Sequence, residues 1–129
     1  MNKIIVEVSI GELLDKITIL EIKLEKIKDP EKLKFINNEH SILKTQLEKN
    51  VKTDDSLSKL YQSLKEVNAK LWVIEDDKRE CEKNKDFGKK FIKLSRDVHF
   101  LNDDRAKIKL EINNHTGSII KEIKEYTSY

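Results

Sequence analysis

From Ile10 to Ile112 the apolar residues recur in alternating steps of three and four. In an α-helix that step lines them along one stripe, whereas a strand would need a step of two. One Pro and three Gly in 129 residues leave little to interrupt the pattern. The chain is therefore expected to be all-α, an antiparallel bundle of about four helices with coiled-coil-like seams, one long helical hairpin and a short extended N-terminal arm. A length of 129 residues suits one core and is short for two, so residues 1–129 read as a single domain.

Local signals divide the pattern. Ile4, Val6 and Val8 alternate with Ile5, Glu7 and Ser9, the period of a short strand or extended arm. Ser9 and Glu12 have capping-box spacing, with Glu12 expected to reach back to the Ser9 amide. The first helix then runs from about Ile10 to Lys28, and Leu14 and Ile19 broaden its stripe. Asp29 and Pro30 suit the cap and first turn of a second helix, which reaches Asn50. Residues 50–56 form a linker with Asp55 or Ser56 as the next cap, before a third helix over about Leu57–Lys83. Asn84 to Gly88 is the turn into a fourth helix that ends near Gly117. The tail either prolongs that helix or lies beside the arm, with its last residues extended.

Composition excludes several functions. Charged residues are 39% of the chain but acidic and basic ones are interspersed, and the net charge is +2, so no footprint for nucleic acid emerges. One Cys excludes an intrachain disulfide and fits a reducing compartment. No segment has the length of a membrane span or the apolar run of a signal peptide, so a soluble cytoplasmic protein is expected. Basic residues are 23 Lys against three Arg, a bias that makes each Arg stand out.

All three Arg fall in Leu71 to Arg105, with the only Trp and the only Cys. Lys78 and Arg105 take seam positions where Leu would normally pack, and Asn68 and Asn102 lie beside the seam. With the turn centred near residue 86, facing residues have numbers summing to about 172. That places Glu75 near Asp97, Asp76 near Arg96, and Asn68 near Asp104 and Arg105. Two readings follow: the polar groups pair and set the register of the hairpin, or they line a pocket for an anion or a metal. The candidate ligand-binding residues are Glu75, Asp76, Arg79, Arg96, Asn102, Asp103 and Arg105. If Arg105 serves only packing, leucine in its place should be neutral or stabilising.

Carboxylates one helical turn apart suit a hard cation that bridges phosphates. Glu12 with Asp15, Glu21 with Glu25, and the acidic residues of the hairpin have such spacings, and Asp15, Glu75, Asp76 and Asp103 are the candidate ligands for Mg²⁺. Paired carboxylates of this kind serve all-α nucleotide pyrophosphohydrolases. With 24 acidic residues, chance produces the same spacings. Cys81 reads as a small apolar residue, His115 as favourable charge at a helix C-terminus, and Trp72 and Phe100 as packing anchors that meet across the hairpin.

The segments VEVSIGELLDKITILEIKLEKIKDPEKL, LWVIEDDKRECEKNKDFGKKFIKLSRDVHFLNDDRAKIKLEIN and GSIIKEIKEYTSY resemble a family of small uncharacterised bacterial and phage proteins, a domain of unknown function. The resemblance implies a setting near glycosyltransferase and surface-polysaccharide genes, and it brings no catalytic residue. Its motif residues are Glu12, Asp15, Lys16, Trp72, Glu75, Asp76, Arg79, Asn102, Asp103 and Arg105. The expected function is a non-catalytic binding or accessory protein with a polar site in the hairpin, homodimeric, taking a protein partner or an anionic small molecule. The alternative is a Mg²⁺-dependent hydrolase of nucleotides or sugar phosphates.

Overall fold

The computed structural model describes residues 2–129, and its regular structure is four helices: α1 (Ile10–Lys26), α2 (Pro30–Asn50), α3 (Asp55–Lys83) and α4 (Lys89–Thr116). The fold is all-α, with no strand among the described residues. Side chains close the helix starts as the sequence implies. Ser9 Oγ accepts from the Glu12 amide at 3.0 Å, and Asp29 Oδ1 from that of Glu31 at 3.0 Å. The cap of α3 is Asp54, accepting from the Leu57 amide at 2.7 Å, one residue ahead of the expected Asp55 or Ser56. Gly117 ends α4 in the left-handed region, φ 69°, where a side chain would be strained. α1 stops two residues short of Lys28, because Ile27 turns extended before the Asp29-Pro30 start of α2.

α1 is the central helix. Its backbone runs close to α2, α3 and α4, whereas α2 approaches only α1. This is why its apolar stripe is broad. Leu14 and Ile17 are buried with Leu47 of α2, Leu57 and Leu64 of α3 and Ile112 of α4. α3 and α4 form the long hairpin, across which Lys78 Nζ lies 6.0 Å from the centre of the Phe91 ring. Glu21 fastens α1 sideways, accepting from the Tyr61 hydroxyl and standing 3.3 Å from His40 Nε2 and 3.8 Å from Lys65 Nζ.

The crossing of α1 over α4 is tight. The Gly11 amide donates to Asn113 Oδ1 at 2.7 Å. A Cβ at Gly11 would fall 2.6 Å from the Lys109 carbonyl oxygen and 2.9 Å from Asn113 Oδ1. Only glycine lets the two backbones meet there.

The tail after Gly117 is not helical, and it turns back along α4 instead of lying along the arm. Lys121 Nζ donates to Asn114 at 2.8 Å, Glu122 reaches Lys109, and the Tyr129 hydroxyl donates to Asp103. The Tyr129 ring sits edge-on to Phe100, with centroids 5.5 Å apart. Among the described residues, the tail's one hydrogen bond near the arm is from the Ile10 amide to Ser118 Oγ, 3.1 Å. Phe100 thus meets the tail, and Trp72 stands elsewhere. Residues 2–8 carry no regular structure and are exposed. Among the described residues no helix is long and apolar enough to cross a membrane.

Alanine is a better helix former than glycine by about 1 kcal/mol. Gly11→Ala is nevertheless expected to lower stability by about 1–3 kcal/mol, because backbone and Asn113 must move apart. Urea unfolding measures this; an unchanged or higher midpoint would show that the crossing is looser than described.

Candidate functional site

The polar centre of the fold is one carboxylate. Asp15 projects from the buried side of α1 and is 1% exposed. Its Oδ1 accepts from Arg105 Nε at 2.9 Å and from Asn68 Nδ2 at 2.8 Å, and its Oδ2 accepts from Arg105 Nη2. Lys109 Nζ stands 3.7 Å away. Asn68 gives its second amide proton to Thr18 Oγ1 at 2.9 Å, and the Thr18 hydroxyl donates to the Asp15 carbonyl at 2.8 Å. Around this core Lys109 bonds Glu12 at 2.7 Å and Glu122 at 3.2 Å, and Lys124 bonds Glu122 at 3.1 Å. The set is electrically closed, with Asp15, Glu12 and Glu122 against Arg105, Lys109 and Lys124.

Burial pushes the Asp15 carboxyl up, but the hydrogen bonds from Arg105 and Asn68 and the charges of Arg105 and Lys109 outweigh it and hold it below its ordinary 3.8. The bond to Asp15 raises Arg105 against the opposing effect of burial. Burial works against the charge on Lys109 too, and Glu12 and Asp15 together leave it raised.

The sequence candidates divide around this centre. An open groove of about 450 Å³ lies between α1, α3 and α4, lined by Ile19 and Ile22, by Leu71 and Trp72, and by Asn68, Glu75, Asp76, Arg79, Asn102 and Arg105. Five of the seven candidate ligand residues are therefore brought together. Asp103 lines a second cavity, about 460 Å³, between α4 and the tail; Asn102 and Arg105 border both. Arg96 borders neither and is exposed.

The cross-hairpin pairs expected from the register do not form. Asp97 pairs with Lys93 on its own helix, at 2.7 Å. Among the described residues no carboxylate stands within 4.0 Å of the Arg79 or Arg96 guanidinium. Asn68 and Arg105 do meet, but at Asp15, because α1 lies across the hairpin and takes the donors on its inner face. Glu12 likewise turns to Lys109 instead of to the Ser9 amide. His115 lies at the end of α4, as expected for its charge, and also stands 2.9 Å from Asp54, the cap of α3.

The four carboxylates proposed for Mg²⁺ are dispersed. Asp15 is filled by its donors, Glu75 and Asp76 border the groove, and Asp103 faces the tail. Among the described residues no group of three or more His, Cys, Asp or Glu is placed to hold a metal ion. Glu21 and Glu25 are engaged by Tyr61, His40 and Lys65. Cys81 is buried. Lys109, Asn113 and Glu122 are neighbours of the polar centre that sequence reasoning misses. Asn102, Arg105, Lys109 and Asn113 do form a polar stripe in steps of three and four, and that stripe is the available signal.

Residues 4–129 match the model of a family described as Family of unknown function (DUF6165). The chain belongs to that family. No match is found among curated proteins, and none among solved structures. The DUF6165 match takes in the whole polar centre, the groove, the arm from Ile4 and the tail.

Arg105 is thus the partner of a buried acid, and Arg105→Leu is expected to destabilise by about 3 kcal/mol, the low end for breaking such a pair, since Arg105 keeps part of its side chain in solvent. A neutral result in denaturant unfolding would sever Arg105 from the stability of Asp15. The pH dependence has a definite sign as well. Because the folded Asp15 carboxyl lies below 3.8, its contribution is complete above that value and is lost as pH falls through the folded value. Below pH 3.8 the wild type should lose stability more steeply than Asp15→Asn, as read by thermal unfolding at stepped pH.

Proposed function

We propose that this protein binds, without transforming, an anionic small molecule that carries a ring, and that nucleotide sugars are the class the groove suits. The observation that supports this most is a single stripe of α3. Trp72, Glu75, Asp76 and Arg79 follow one another at steps of three, one and three, so they share one face over two turns, and all four border the groove. Trp72 with Ile19, Ile22 and Leu71 offers an apolar wall for a base or a sugar face. Glu75 and Asp76 are exposed acceptors suited to sugar hydroxyls. Arg79, without a carboxylate partner, and the outer edge of Arg105 supply planar donors suited to a diphosphate.

A cytoplasmic setting in a bacterium or phage-infected cell, and a place in polysaccharide or nucleotide-sugar metabolism, belong to the same reading. The buried free thiol of Cys81 accords with a reducing compartment.

The single Trp of the chain borders the groove and is its own reporter. Titration with uridine diphosphate glucose should change Trp72 fluorescence saturably. Arg79→Ala should weaken binding by about tenfold or more, a loss of roughly 1.4 kcal/mol, while the melting temperature stays unchanged because Arg79 makes no ion pair in the fold. No fluorescence change and no thermal stabilisation by nucleotide sugars, nucleoside triphosphates or pyrophosphate at millimolar concentration would overturn the proposal. Turnover with Mg²⁺ that is lost in Glu75→Gln would assign the groove to a hydrolase instead.

A further inference from the structure

The arm ahead of α1 is a strand sequence with nothing to pair with. Ile4, Ile5 and Val6 are 89%, 82% and 71% exposed, more than the apolar residues left open on the hairpin, such as Val73 at 48% and Ile92 at 55%. Among the described residues, the backbone of residues 2–8 makes no hydrogen bond to any other segment. Three β-branched residues in a row, then Glu7 and Val8, favour a pleated strand over either helix or disordered coil. Such an edge is a template for another strand.

We propose that the occupant is the arm of a second copy of this chain, paired antiparallel about a two-fold axis through Ile5. The charges select this partner and this register. In an antiparallel pair of identical strands, opposed residues have numbers that sum to a constant. A sum of ten sets Lys3 against Glu7, Ile4 against Val6, Ile5 against Ile5 and Asn2 against Val8. The symmetry makes the Lys3–Glu7 pair twice, as an isologous contact requires. A sum of six opposes Lys3 to Lys3, and a sum of fourteen opposes Glu7 to Glu7. Sums of eight and twelve leave Lys3 opposite an uncharged side chain, Ile5 or Ser9. Only ten pairs both charged side chains.

The same register sorts the faces. Ile4, Val6 and Val8 form one apolar face, while Lys3, Ile5 and Glu7 form the other. A two-stranded ribbon alone is marginal in water, so the apolar face needs a seat. The seat is part of the proposal: the Ile10 amide donates to Ser118 Oγ at the root of the arm, and the next residue, Ile119, is 99% exposed and able to take the apolar face. The dimer expected from the sequence is thereby assigned to the arm, and it does not depend on the ligand reading of the groove.

Light scattering at low ionic strength on the full chain tests it. Wild type is expected to be a dimer at tens of micromolar, and removal of residues 1–8, which leaves the Ser9 cap in place, to be a monomer with the same helical circular dichroism. Lys3→Glu and Glu7→Lys should each weaken the dimer by about tenfold or more, since each places two like-charge pairs in direct opposition. An equimolar mixture of the two variants should restore a dimer. One variant then carries acids at both positions and the other carries bases at both, so each of the two opposed pairs joins unlike charges. The double substitution should self-associate again. A monomeric wild type, a dimer that survives loss of the arm, or a mixture that stays monomeric would each overturn the proposal.

Discussion

A carboxylate cannot leave water without donors to replace it, and Asp15 leaves water almost completely. The uncompensated burial of such a charge costs several kcal/mol. The position of α1 is therefore acceptable only where Asn68 of α3 and Arg105 of α4 reach the same two oxygens. Leu14, Ile17, Leu64 and Ile112 supply the apolar burial, but apolar contacts tolerate sliding by a turn. Sliding α1 would strip Asp15 of its partners and bring another residue to the contact at Gly11, where there is no room for a Cβ. Charge and close approach together select one register.

The same pair links the core to the groove. Two donor positions of Arg105 are spent on Asp15, which locks the plane of the guanidinium and leaves its outer edge at the wall shared by the two cavities. A group held this way has little freedom left to lose, the preorganisation on which the proposed ligand site would draw. The tail contributes on the other side of Arg105. Glu122 completes the charge balance around Lys109, and Tyr129 packs on Phe100, so a segment without secondary structure is nonetheless attached along α4.

The seam of three- and four-residue steps, Asp29-Pro30, the Asn84–Gly88 turn and Gly117 made the four helices and nearly all their ends legible, because these signals act over a few neighbouring residues. The motif spacing W-x-x-E-D-x-x-R likewise put Trp72, Glu75, Asp76 and Arg79 on one face of α3, since helical period alone decides that.

What no local rule could supply is the third partner. Read as a two-helix problem, Asn68 should face Asp104 and Arg105 across the hairpin; in the folded chain α1 occupies that inner face, and Asp15 collects both Asn68 and Arg105. Gly11, Lys109 and Asn113 acquire their roles only at the same crossing, and Glu122 only when the tail turns back. The sequence by itself determined the elements, their capping and their amphipathic faces, which depend on contacts within a few residues. The tertiary structure alone decided which buried charge meets which donor, because those partners are separated by 53 to 97 positions and are joined by the packing angle of α1.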